Sequence, residues 1–195
     1  MEDKTINPTE SLEIIDSMIN TAKNKLADDG FLYMFWGWLV FISAISHYIT
    51  VILNIEYGFI VWPVLMPLGA VVSIIYGNRQ RKKVNVRSYI GTYLGYSWTA
   101  FLIAMFITLA FMDHHGIKVT YFIFMILYGI ATLISGGLLN FQPLIIGSLF
   151  SFALSVASVF LGEKEQLLCI AAAIFCSYIV PGHLLHSKFK SQGNV

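Results

Sequence analysis

Six apolar runs, each about as long as a membrane-crossing helix, dominate this sequence, and none contains an aspartate, glutamate, lysine or arginine. They span residues 31–53, 58–76, 89–112, 119–139, 143–161 and 166–185. A helix needs about 20 apolar residues to cross a hydrocarbon core. A formal charge near mid-bilayer costs about 3 kcal/mol on insertion scales. The 12 basic and 11 acidic side chains accordingly fall in tails and connections. Only 12% of the 195 residues are charged, about half the fraction of an ordinary soluble domain. With 57% hydrophobic residues and a mean hydropathy of +0.72, a soluble globule of this size has nowhere to bury its apolar surface. A disordered chain is excluded on the same ground, and a net charge of +1 excludes a nucleic-acid binder.

The expected fold is therefore all-α: a polytopic membrane protein with six transmembrane helices arranged as three hairpins. An amphipathic cytoplasmic helix precedes them, and a short tail, residues 186–195, follows. Residues 1–30 are polar, and the first apolar run is too long for the core of a signal peptide. That run is expected to stay in the membrane. Cys169 and Cys176 lie seven apart in one run, about 10 Å along a helix. A disulfide needs Cα atoms within about 7 Å, so both are expected to be reduced.

Lysine and arginine set the orientation. Lys4, Lys23, Lys25, Arg79, Arg81, Lys82, Lys83, Arg87, Lys188 and Lys190 share one side of a six-span chain, and only Lys118 and Lys164 lie on the other. The positive-inside rule places both termini in the cytoplasm, here of a bacterial inner membrane. The outer connections are only a few residues long, so no folded external domain fits.

Residues 7–29 read as a separate helix. Asn7 is a suitable N-cap, Pro8 suits the first helical position, and Glu10 completes a capping-box spacing. Leu12, Ile15, Ile19, Ala22 and Leu26, with Met18 beside them, form an amphipathic stripe. Residues 1–30 carry seven acids against three lysines. Interfacial helices that bind anionic lipid are basic, so this one is expected to seek a protein surface. Two surfaces qualify: the basic stretch Arg79, Arg81, Lys82, Lys83 and Arg87 of the same chain, or a cytoplasmic regulator protein. The basic stretch also suits anionic headgroups.

Within the spans, His47 stands out, since an ionisable group in a membrane is a functional candidate by default. Ser43, Ser46, Tyr48 and Thr50 are its expected hydrogen-bonding neighbours. Pro63 and Pro67 lie four apart in the second span, where each removes a backbone bond and can kink the helix. Broken helices build ion sites in transporters, which makes His47, Pro63 and Pro67 the candidate ligand or proton site. Pro181-Gly182 is a weaker counterpart in the last span. His183 and His186 share a helix face but lack further ligands nearby in sequence, and His114 and His115 occupy a turn, so no metal or other cofactor is expected. Ser148, Ser151, Ser155 and Ser158 form a small-residue stripe suited to close packing. Glycines recur at similar places, Gly37, Gly95 and Gly147 early in the odd spans and Gly69, Gly129 and Gly182 in the even ones. This leaves open a triplicated hairpin. No phosphate-binding loop, nucleophile elbow, HExxH or CxxC pattern is present.

The stretch SLEIIDSMINTAKNKLADDGFLYMFWGW (11–38), with LYGIATLISGGLLNFQPLIIG (127–147) and YIVPGHLL (178–185), resembles a family of small six-span bacterial inner-membrane proteins. Their genes are often found beside one for a winged-helix regulator. The resemblance implies the same membrane topology over nearly the whole chain, and it brings no catalytic residues. Hairpin count and glycine spacing alone are also similar to the six-span acid-resistance membrane proteins. The expected function is non-enzymatic, a sensor or anchor that engages a cytoplasmic partner through its N-terminal helix in the lipid bilayer. A small transporter or channel built on the second span is the alternative, and a membrane enzyme the least supported. A monomer and a homo-oligomer both remain open.

Overall fold

The computed structural model describes residues 12, 30–81 and 89–192, apart from the side chains of 80, 81 and 188–192. Among them the chain is helical, with no strand. Helix α1 covers Gly30–Ile52, and a 3-10 turn at Gly58–Ile60 leads into α2, Val61–Arg81. Helix α3 is Tyr89–Ala110. A single helical turn, Met112–His115, connects it to α4, Ile117–Leu139. Helix α5 is Gln142–Ser158. The last stretch is α6, Glu163–Ile174, a π turn at Phe175–Ile179, and α7, Val180–Gln192.

Five of these stretches are long and apolar enough to cross a membrane: Gly30–Ile52, Gly58–Arg79, Tyr89–Ala110, Ile117–Leu139 and Glu163–Ser187. Helix α5 is also apolar but has 17 residues. The largest departures from the sequence expectation are at helix ends. The second helix runs to Arg81, and the last begins at Glu163 and winds on to Gln192. Hydropathy marks the apolar part of a helix, whereas the backbone bonds continue through the charged residues beyond it.

The helices bury narrow stripes. In α1 these are Gly30, Tyr33, Gly37, Val40, Ala44 and His47, and in α5 Leu144, Ser148, Ser151, Ser155 and Ser158. Alternating spacings of three and four keep such stripes facing one neighbour. The last span is the hub. Of its apolar stretch 61% is buried, against 11% for the second span and 6% for α3. The most extensive packing joins α4 to α5 and α1 to the last span, rather than the members of each expected hairpin. Among the described residues, helix α2 packs extensively only on α1, and α3 packs chiefly on α4, with Trp98 also meeting Tyr33 of α1 and Tyr178 of the π turn.

Glycine makes the close approaches. A Cβ on Gly147 would lie 2.6 Å from the Cys176 carbonyl oxygen and 2.7 Å from Ser177 Cα, so α5 rests directly on the π turn. Gly37 approaches Tyr178 and Ile179 from α1, and Gly182 receives Met34. Gly95 instead has open space around it, so the repeated glycine spacing does not extend to a repeated packing role. Proline explains where the π turn falls. Pro181 offers no N–H to the carbonyl of Ser177, and its ring crowds that carbonyl in a regular helix. A wider turn just before it relieves the conflict.

The connection between α4 and α5 is set by Asn140, which takes the left-handed conformation at φ 51°. The Asn140 and Phe141 amides then bond the Gly137 and Gly136 carbonyls. This caps α4 and reverses the chain within two residues, and Pro143 sits in the first turn of α5.

Candidate functional site

His47 is buried on α1, one turn before that helix ends. The indole of Trp62, at the second position of α2, donates to His47 Nδ1 at 3.1 Å. The Tyr121 hydroxyl, from the first turns of α4, lies 3.4 Å from the same nitrogen. An indole N–H can only donate. Nδ1 must therefore be the acceptor, the ring proton sits on Nε2, and the Tyr121 hydroxyl lies beside the lone pair that the indole already engages. The tautomer is assigned from these partners.

The expected neighbours play another part. Ser43 donates to the Leu39 carbonyl and Thr50 to the carbonyl of His47 itself. Helical serine and threonine readily bond back onto the preceding turn, so the imidazole is instead met by partners from two other helices. Trp62 and Tyr121 were not singled out from the sequence as site residues. Their aromatic character near span ends was the only signal, and it reads equally well as interfacial anchoring.

Neither proline interrupts α2. Pro63 is in the first turn of α2, where amides have no intrahelical acceptor and a proline costs nothing. Pro67 is inside α2, which remains one continuous helix. The interruption that sequence reasoning sought there is in the last span, at the π turn. A shallow concavity of about 340 Å³ on α2 is lined by Ser73, Ile74, Gly77 and Asn78, toward the end remote from His47.

Other polar candidates are used in packing. Ser148, Ser155 and Ser158 donate to carbonyls of their own helix, while Ser151 reaches across to the Met125 carbonyl of α4. Gln166 is buried, with Nε2 donating to the Ser158 carbonyl at 2.9 Å and Oε1 unpartnered. His183 Nδ1 lies 2.8 Å from the Ile179 carbonyl, and both His183 and His186 are exposed. The His115 ring sits between the Thr108 and Gly116 carbonyls, at 3.2 Å from each. Among the described residues, no three His, Cys, Asp or Glu side chains come together as metal ligands.

Helix α2 is thus tied to α1 by an indole near each end. Trp36 of α1 donates to Ser73 of α2 at 2.9 Å, and Trp62 of α2 donates to His47 of α1. Arg79 is exposed at the far end of α2. Lys82, Lys83 and Arg87 lie outside the described residues, as does the Arg81 side chain. Leu12 is exposed, and Ile15, Met18, Ile19, Ala22 and Leu26 lie outside the described residues.

The architecture defines an all-helical bundle with five helices of membrane-crossing length and composition. No protein-family model matches the chain, and no curated protein or solved structure shows significant similarity to it.

Proposed function

We propose that the chain is a six-span integral membrane protein, without enzymatic activity, that relays a state of its helices to a cytoplasmic partner. The attachment of α2 carries the reading. Among the described residues it packs extensively only on α1, an indole bond ties it near each end, and it runs into the basic segment 79–87. A helix held this lightly can shift without repacking the hub. The same side of the membrane, under the positive-inside rule, holds the acidic N-terminal segment.

The sixth crossing is α5. Its 17 helical residues rise about 26 Å. Amide bonds from Val159, Phe160 and Leu161 to carbonyls three residues back continue the winding. Three residues at 3-10 rise add about 6 Å, which reaches the thickness of a hydrocarbon core, about 30 Å. Both termini then face the cytoplasm of a bacterial inner membrane. Against a conduit, the serine stripe of α5 is turned onto backbone carbonyls and away from any aqueous path.

The test places a photo-crosslinking residue at Ile15 of the full-length chain in living cells. The expected product is a discrete adduct with one cytoplasmic protein, lost in a Leu12→Asp variant that still inserts. Adducts confined to segment 79–87 of the same chain would overturn the partner role. Flux of an ion through proteoliposomes holding the purified chain would favour the transporter.

A further inference from the structure

We propose that the Trp62–His47 hydrogen bond is a proton-sensitive latch, closed when His47 is neutral and opened when Nδ1 takes a proton. The inference goes beyond the relay function, because the latch can be tested whether or not a cytoplasmic partner exists. Its basis is the asymmetry of the donors. Trp62 donates to Nδ1, and the Tyr121 hydroxyl, which can donate or accept, lies 3.4 Å from it. When a proton from water binds that lone pair, the ring becomes a cation and the new N–H needs an acceptor. The Tyr121 oxygen can provide one by rotating its hydroxyl hydrogen away, because a phenol both donates and accepts. The indole of Trp62 cannot. Its N–H is left facing another N–H, and the repulsion falls on a helix that, among the described residues, packs extensively only on α1.

The groups around the imidazole suit this exchange. Tyr121 is the titratable side chain that meets it from α4. Glu163 is the first residue of α6. Cys169 of α6 is buried in the same core. Helix α2 contributes Trp62, which has no proton to exchange, and on α1 Tyr48 adjoins His47 in sequence. Toward its other end α2 is also held by the Trp36–Ser73 bond, the Phe31–Tyr76 ring contact and the seat of Gly69 on Trp36 and Leu39. Opening is therefore expected at the His47 end, with the far end acting as the pivot.

The experiment uses the full chain in lipid nanodiscs, moved from about pH 8 to about pH 5, the range in which histidine changes charge. Nitrogen-15 spectra of labelled histidine report each ring nitrogen directly, and His47→Asn identifies the His47 signals. Spin labels at Ile49→Cys and Val64→Cys, both exposed positions, report the α1–α2 distance in a Cys169→Ala, Cys176→Ala background. The expected result is an Nε2–H neutral ring and one short distance at high pH. At low pH both nitrogens carry protons and a longer distance appears. His47→Asn puts an oxygen near the place of Nδ1, accepts from Trp62 without taking a proton, and keeps the short distance throughout. Trp62→Phe shows the longer distance at both pH values. Three results would overturn the latch: an Nδ1 that never protonates, protonation without a change in distance, or a His47→Asn protein that responds to pH as the parent does. Should the variants fail to fold, the nitrogen spectra and distances of the otherwise unaltered chain decide.

Discussion

The α-carbon of Gly147 faces the Cys176 carbonyl so closely that a methyl group there would come within 2.6 Å of the oxygen. Both partners are backbone, so neither can rotate away. Helix α5 and the π turn are in this way locked at the centre of the bundle. Gly147→Ala is expected to destabilise the fold by about 1–3 kcal/mol, as overpacking does in a filled core. Gly95→Ala, with open space around it, is the control and should stay within about 0.5 kcal/mol of the parent. Denaturation of the two variants in the same detergent checks both.

The serine stripe of α5 divides into two kinds of bond. Ser151 is tied to the Met125 carbonyl on α4, whereas Ser155 is tied to Phe152 on its own helix. Ser151→Ala should cost about 0.6 kcal/mol, the average for an interhelical bond in a membrane. Ser155→Ala should cost less, because its hydroxyl competes with a bond the helix already makes. The same unfolding assay distinguishes them.

Gln166 tests how much a half-satisfied buried amide contributes. Its Nε2 bonds the Ser158 carbonyl while its Oε1 has no partner. The Ser158 carbonyl also accepts from the Leu161 amide, so it keeps a partner without Gln166. Gln166→Leu removes the bond and the orphaned acceptor together, and stability should change by less than about 1 kcal/mol. A loss of several kcal/mol would show that Oε1 holds a water molecule or a further group.

Trp36 and Ser73 form the second tie of α2. Trp36→Phe and Ser73→Ala are each expected to lower stability, and the double variant should lose no more of the bond than either single one. A double-mutant cycle should give a coupling of about 0.5–1.5 kcal/mol. A coupling near zero would mean that this end of α2 is held by its apolar contacts alone.

Helices and apolar runs were legible in the sequence because lipid leaves a helix few alternatives: charge is excluded and backbone bonds close within the segment. Gly37, Gly147 and Gly182 were legible as small residues, but not as the seats of particular neighbours. Gly95 has the same spacing and seats nothing. The π turn was not legible, since one inserted residue barely alters an apolar pattern and Pro181 was its only mark. At the site, His47 stood out by its chemistry alone. Its partners did not, because Trp62 and Tyr121 come from other helices, 15 and 74 residues away, and local spacing carries no record of such pairings. That neither proline breaks α2 has a physical reason. A proline in the first turn of a helix, as Pro63 is, breaks nothing.

The most direct test of the six-span account is the side of the membrane reached by each end of the last span. Lys164→Cys and Ser187→Cys, each in a Cys169→Ala, Cys176→Ala chain, are treated in intact cells with a maleimide that cannot cross the membrane. Six crossings with cytoplasmic termini predict that Lys164→Cys is labelled and that Ser187→Cys reacts only after permeabilisation. Labelling of Ser187→Cys with protection of Lys164→Cys would show that α5 does not cross, and would contradict the account.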